Sequence, residues 1–165
     1  MIFSVDGTKL KDAASKVARA TAYHPSKPVL QNMEIVAHKD GLTLRATNLD
    51  VVIKVHVEAN VTEEGRTCAH AGMLISAASS LASENAKFKL SGGLEVAGES
   101  FRCVVPTSDP DEYPSFPLPS LTYTPAPEIF KALSLAAIAA WNKAEGAAVS
   151  PIMGCVRLRA DNGKM

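Results

Sequence analysis

The sequence predicts an α+β fold in which two helices pack on a curved antiparallel sheet, followed by an incomplete second copy of the same unit. Three observations carry this. Period-two apolar alternation recurs in short runs separated by Gly, Asp and Asn turns. Two stretches with helical spacing interrupt those runs. The last third of the chain repeats the pattern of the first and stops partway.

Taken in order, Ile2–Val5 reads as a strand and Asp6 as a helix N-cap. Leu10, Ala13, Ala14, Val17 and Ala20 then fall on one narrow stripe, and the small alanines suit a helix lying close on a sheet. Lys9, Lys11, Lys16 and Arg19 occupy much of the remaining surface against a single acid, Asp12. His24-Pro25-Ser26-Lys27-Pro28 is a stiff loop, because each proline fixes its own φ and disfavours helix in the residue before it. Pro28-Val29-Leu30 leads as a strand entry into Met33, Ile35 and Ala37, which alternate with Glu34, Val36 and His38. Asp40-Gly41 is a hairpin signal, and Leu42, Leu44 and Ala46 resume the alternation beyond it. After the turn Asn48-Leu49-Asp50, the residues Val51, Ile53, Val55 and Val57 form a third strand.

Thr62–Gly65 reads as a polar turn and Thr67–Ala69 as a short strand. A second helix starts at Gly72, with Met73, Leu74, Ala77, Ala78 and Leu81 on one face. Lys87–Leu90, Gly93–Ala97 and Phe101–Val105 are three further strands. The expected organisation is a first domain at 1–105, a Pro-rich ordered linker at 106–120 with Tyr113 and Phe116 as anchors, and a partial second domain at 121–165. In that last part Leu121–Thr124 is a strand. A helix from Pro127 to Lys143 has Ile129, Phe130, Leu133, Ala137, Ile138 and Trp141 as its core face, and Val156, Leu158 and Ala160 alternate as a strand. Leu10 aligns with Phe130, Ala13 with Leu133, and Pro28-Val29-Leu30 with Pro151-Ile152-Met153. A unit cut at its first hairpin leaves apolar area without a partner, so the chain is expected to be the N-terminal piece of a longer protein.

Composition narrows the function classes. The 165 residues carry 17 basic and 17 acidic side chains, which excludes an all-over basic nucleic-acid binder but not one basic face. No stretch approaches the roughly 18 apolar residues of a membrane span, and the N-terminus has no secretory pattern. Cys68, Cys103 and Cys155 are odd in number and widely spaced, as expected of reduced thiols in a cytoplasmic protein. Cys68-Ala69-His70 lacks a second ligand pair for a metal. Ser91-Gly92-Gly93 lacks the ending of a phosphate loop. Asp109, Asp111 and Glu112 are interrupted by prolines that a calcium loop would not carry. No nucleophile–base constellation is present, and no cofactor is expected.

The helix and PVL strand at the start, GLTLRATNLD, and FRCVVP leading into DEYPSFP together resemble the bacterial sliding DNA clamp, the beta subunit of DNA polymerase III. The resemblance implies a non-catalytic ring around double-stranded DNA, lined by helices, with clamp-type domains of two helices on a curved sheet. It also implies replicative polymerase and clamp loader as partners and a homo-oligomeric ring. Within it, Lys9, Lys16, Arg19, His24 and Lys27 would meet DNA without reading sequence, although His24 stands where the family commonly has Arg and is mostly neutral at pH 7. Phe101 and Cys103 would lie at the subunit interface, with Arg102 and Glu99 at its rim. Ile152 and Met153 would form part of a partner-peptide pocket. The competing reading is a clamp-like protein-interaction module that does not encircle DNA, favoured by the neutral net charge, by His24 and by Ala71 at the start of the second helix.

Overall fold

The computed structural model describes residues 1–22, 27–81, 84–115, 127–139 and 155–157. The chain divides into two compact units, Met1–Phe116 and Pro117–Met165.

The first unit runs β1 (Ile2–Asp6), α1 (Gly7–Val17), a 3-10 turn (Ala18–Ala20), a second 3-10 turn (Pro28–Gln31), β2 (Asn32–His38), β3 (Gly41–Thr47), β4 (Val52–Val57), β5 (Asn60–Glu63), β6 (Gly65–His70), α2 (Ala71–Ser80), β7 (Asn85–Leu90), β8 (Leu94–Ala97), β9 (Arg102–Val105) and β10 (Thr107–Ser108). The strands form two antiparallel sheets, ordered β5-β1-β7-β8-β9 and β10-β6-β2-β3-β4. One continuous core lies between these sheets and the two helices. It includes Phe3, Leu10, Val17, Met33, Leu44, Leu74 and Phe88, and Phe3 stacks on Phe88 at 4.8 Å. α1 buries Leu10, Ala13, Ala14 and Val17, and α2 buries Leu74, Ala77 and Ala78. The two helices pack on each other, and the alanines allow their backbones to approach closely.

The central hairpin forms as its alternation predicts. Glu34 pairs with Arg45, Ile35 with Leu44 and His38 with Gly41. Gly41 has a φ of 129°, a conformation closed to L side chains, and a Cβ there would sit 2.6 Å from the Val57 carbonyl oxygen. Several details differ from the sequence expectation. Val29 and Leu30 lie in a 3-10 turn instead of a strand, with Pro28 as its first residue and the Leu30 N–H donating to the Lys27 carbonyl at 3.1 Å. Of the turn expected at Thr62–Gly65, Thr62 and Glu63 belong to β5, which pairs with β1 although only Val61 marks it as a strand, and Gly65 opens β6. Glu34, expected to face water, is buried. Met73, expected in the core, is 50% exposed. The Pro-rich stretch starts with β10, which pairs Thr107 with Ala69 and Ser108 with Cys68. A 3-10 turn follows at Pro110–Glu112, and Tyr113 is buried as the expected anchor. Phe116 lies outside the described residues.

In the second unit the described residues form α3 (Pro127–Ile138) and the segment Cys155–Arg157, which is in no strand. Phe130 and Ile138, expected in a core, are 57% and 80% exposed, Ala137 is also exposed, and Ile129 and Leu133 are half-buried. Trp141, the strand at Leu121–Thr124, and Leu158 and Ala160 lie outside the described residues.

Gly41 supplies the test of this packing. Gly41→Ala should destabilise the first unit by about 1–3 kcal/mol through the forced left-handed backbone and the clash with Val57. A urea titration followed by circular dichroism reads this as a lower midpoint with an unchanged slope.

Candidate nucleic-acid interface and open sheet edge

The cationic side chains collect on α1 because its opposite face is spent on the core. Asp6 caps the helix, its Oδ1 accepting from the Lys9 N–H at 3.0 Å, and Lys16 lies in the last turn, where a positive charge suits the helix dipole. Lys9, Lys16, Arg19 and Lys27 are exposed and Lys11 is half-buried. These positions are not equivalent. Lys9 and Lys16 border a groove of about 490 Å³ against β4, shared with Val55, His56 and Glu58. There Lys9 Nζ lies 2.6 Å from Glu58 Oε2. That hydrogen bond, with the charge attraction behind it, raises the Lys9 ammonium above its ordinary value and lowers the Glu58 carboxyl below its own. The pair is exposed, so water and salt screen it and a competing anion can displace it. Arg19 sits beyond the helix end, in the 3-10 turn. His24, the remaining sequence candidate, lies outside the described residues.

α2, packed beside α1, contributes no charge. Its exposed residues are Gly72, Met73, Ser76, Ser79 and Ser80. Two of those hydroxyls are turned back on the helix, Ser79 donating to the Ile75 carbonyl at 2.8 Å and Ser80 to the Ser76 carbonyl at 3.2 Å. The helix layer therefore has one basic flank and one neutral flank.

At the sheet edge, β9 pairs with β8 from Leu94–Val105 to Ala97–Arg102 and ends the sheet order on its other side. Phe101 and Cys103 are half-buried against the core, whereas Val104 is 63% exposed. A groove of about 500 Å³ runs between β9 and α2, lined by His70, Met73, Phe101, Cys103 and Val104 among others. The family resemblance points to Phe101 and Cys103 but not to Met73 or Val104, which line the groove with them. The missed signal was a valine on the outward phase of an alternating strand. An open edge with an apolar rim is a surface suited to adding another strand.

Burial pushes the Cys68 thiol up to about 12 and raises that of Cys103. Among the described residues no three His, Cys, Asp or Glu side chains group as a metal site. Ile152 and Met153 lie outside the described residues.

A two-helix, two-sheet unit with a basic helix flank and an open edge strand is the architecture of a clamp domain. Residues 1–117 match the family described as the DNA polymerase III beta subunit, N-terminal domain, and the chain belongs to that family. The beta sliding clamp of Streptomyces coelicolor is 30% identical over 144 residues, which cover 85% of this chain and 38% of that protein. The fold is similar to the beta subunit of DNA polymerase from Streptococcus pyogenes, with a TM-score of 0.76 and 22% identity over 88% of this chain and 41% of that one. It is also similar to the Helicobacter pylori beta clamp bound to a DNA ligase peptide, with a TM-score of 0.75 and 19% identity over 84% of this chain and 40% of that one. The chain thus spans well under half the length of these relatives.

The Lys9–Glu58 pair has a signature in solution. The Glu58 carboxyl should titrate below the ordinary 4.5 of a glutamate, and Lys9→Met should move it upward. Any stability it adds is present above its unfolded value and lost as pH falls through the lowered one. Carboxyl-detected NMR titrations of the two proteins measure the difference.

Proposed function

We propose that this chain supplies the first clamp domain, and the start of a second, of a DNA-encircling processivity clamp that tethers a polymerase to duplex DNA in the bacterial cytoplasm. The observation that carries the reading is the family match over residues 1–117 on a unit where α1 and the turn after it expose Lys16 and Arg19, with Lys27 exposed just before the second 3-10 turn. A sliding ring needs attraction to phosphates without base readout, and a few helix-borne cations meet that need. Lys16, Arg19 and Lys27 are the DNA contacts in this reading, with Lys9 secondary because Glu58 holds it. The open edge of β9, with Phe101, Cys103, Met73 and Val104, is the subunit interface of a homo-oligomeric ring. The role requires no catalysis, cofactor or metal. The replicative polymerase and the clamp loader are the partners, and the ligase peptide on the Helicobacter pylori clamp supports short-peptide recognition in which Ile152 and Met153 would take part.

The neutral outward face of α2 favours a second reading, a clamp-like interaction module without encirclement. DNA affinity against salt separates the two. In the assembled protein, Lys16→Gln with Arg19→Gln should flatten the log–log salt slope by about 0.9 for each phosphate that is no longer neutralised. Lys9→Gln should change it less. Slopes near zero for every protein, wild type included, favour the interaction module. Val104→Asp should weaken self-association by about tenfold or more, since it places an unpaired charge where apolar area is buried. Sedimentation measures that shift.

A further inference from the structure

One polar cluster of the first unit, part buried and part exposed, has no part in the helix layer or the β9 edge. Arg66 joins three groups. Its Nε lies 2.7 Å from Glu34 Oε1, its Nη1 donates to Asp111 Oδ1 at 3.1 Å, and its Nη2 donates to the Pro110 carbonyl at 2.5 Å. Glu34 is also held from the other side by Arg45, whose Nε is 2.8 Å from Glu34 Oε2, at ion-pair distance without an aligned hydrogen bond. Arg45 in turn lies over the Tyr113 ring, 5.7 Å from its centre. The Tyr113 hydroxyl accepts from the Thr47 N–H at 3.1 Å and donates to the Asn32 carbonyl at 3.3 Å. Asn32 Nδ2 donates to Ser108 Oγ at 2.8 Å. Beneath these groups Tyr113 closes a small apolar cluster of its own with Val29, Leu30 and Cys68, apart from the main core.

We propose that residues 107–113 form a latched strap that opens as a unit, uncovering Cys68 and the edge of β6, with Arg66 as the residue that holds it shut. The strap has two kinds of fastening. The outer one, Arg66 to Asp111, joins side chains 40% and 84% exposed, so solvent competes for it. The inner one is the buried Tyr113, whose hydroxyl loses the Thr47 N–H and the Asn32 carbonyl when the strap lifts. β10 adds only two residues to the sheet, little to resist lifting. A segment with a weak outer fastening, a short ladder and its own small core is the kind that opens locally while the rest of the fold stays closed. When it lifts, β6 becomes an unpaired edge and the Cys68 thiol meets solvent. Arg66 is a positioning residue here, because it acts on Cys68 only through the strap.

The thiol reports the motion. The full chain is treated with N-ethylmaleimide and the modification of each cysteine is followed by peptide mass spectrometry, with Cys155 as the internal reference. Cys68 in the wild type should react slowly. Arg66→Met should speed Cys68 by about tenfold or more, Tyr113→Phe should speed it in the same direction, and Lys89→Met, on the other sheet, should not. Amide exchange in β1 and β7 should stay at the wild-type level. In the unmodified sequence, raising the salt concentration to about 1 M should also speed Cys68, because the outer fastening is screened. An unchanged Cys68 rate in Arg66→Met overturns the proposal. So does a faster rate accompanied by equal loss of protection in β1 and β7, since that is unfolding of the whole unit. If Arg66→Met fails to fold, the salt series decides, and a Cys68 rate independent of salt contradicts the strap.

Discussion

The structure depends most on the close packing of two short alanine-faced helices over two sheets. An 11-residue α1 and a 10-residue α2 would be marginal alone in water. What stabilises them is the burial of Leu10, Val17 and Leu74 against Phe3, Leu44 and Phe88, each large side chain contributing about 1.5–3 kcal/mol. Ala13, Ala14, Ala77 and Ala78 keep the backbones close enough for that contact. The remaining features follow from it. With one helix face spent on the core, the cations of α1 face outward. Among the described residues the β9 edge stays unpaired on its outer side, whereas β10 and Tyr113 cover the β6 edge and part of the face beside it.

That outward surface is more differentiated than a count of lysines suggests. The Lys9 charge is answered by Glu58, α2 is neutral, and the unpaired cations gather toward the end of α1 and the turn after it. A net charge of zero is therefore compatible with a local basic flank, and such a flank suits weak contacts to phosphate that do not fix position along DNA. The β9 edge works on a different principle. Its free backbone groups and its Val104 and Met73 rim reward strand addition, where backbone bonds and apolar burial act together. Electrostatics on one surface and strand pairing on the other can be altered separately, as a ring that must both close and slide requires.

Much of this was legible in the sequence because the physics involved is local. Leu10, Ala13, Ala14 and Val17 repeat at helical spacing and are all buried, and the β2–β3 hairpin follows its alternation and its Asp40-Gly41 turn. Where the reading failed, a long-range contact had overruled a local pattern. Glu34 sits on the outward phase of its strand, yet Arg45 and Arg66, themselves in contact with residues 110–113, lie against it and it is buried. β5 is almost wholly polar and is a strand because β1 lies beside it. Met73 has the spacing of a core residue but lies at the margin of the helix, above the groove beside β9. Phe101 and Cys103 were singled out by the family resemblance, although the strand that holds Cys103 could be placed from its alternation. The Glu58 partner of Lys9 could not, since 49 residues separate them and no periodicity links the two.

That this unit forms part of a closed ring on DNA is a matter of topology, and topology has a direct test. The assembled protein is loaded on a nicked circular duplex, which is then cut once and passed through a sizing column at high salt. The account predicts retention on the circle and loss after the cut, with the same protein and the same sequence of DNA. Equal retention on circle and line, or none on either, would contradict it.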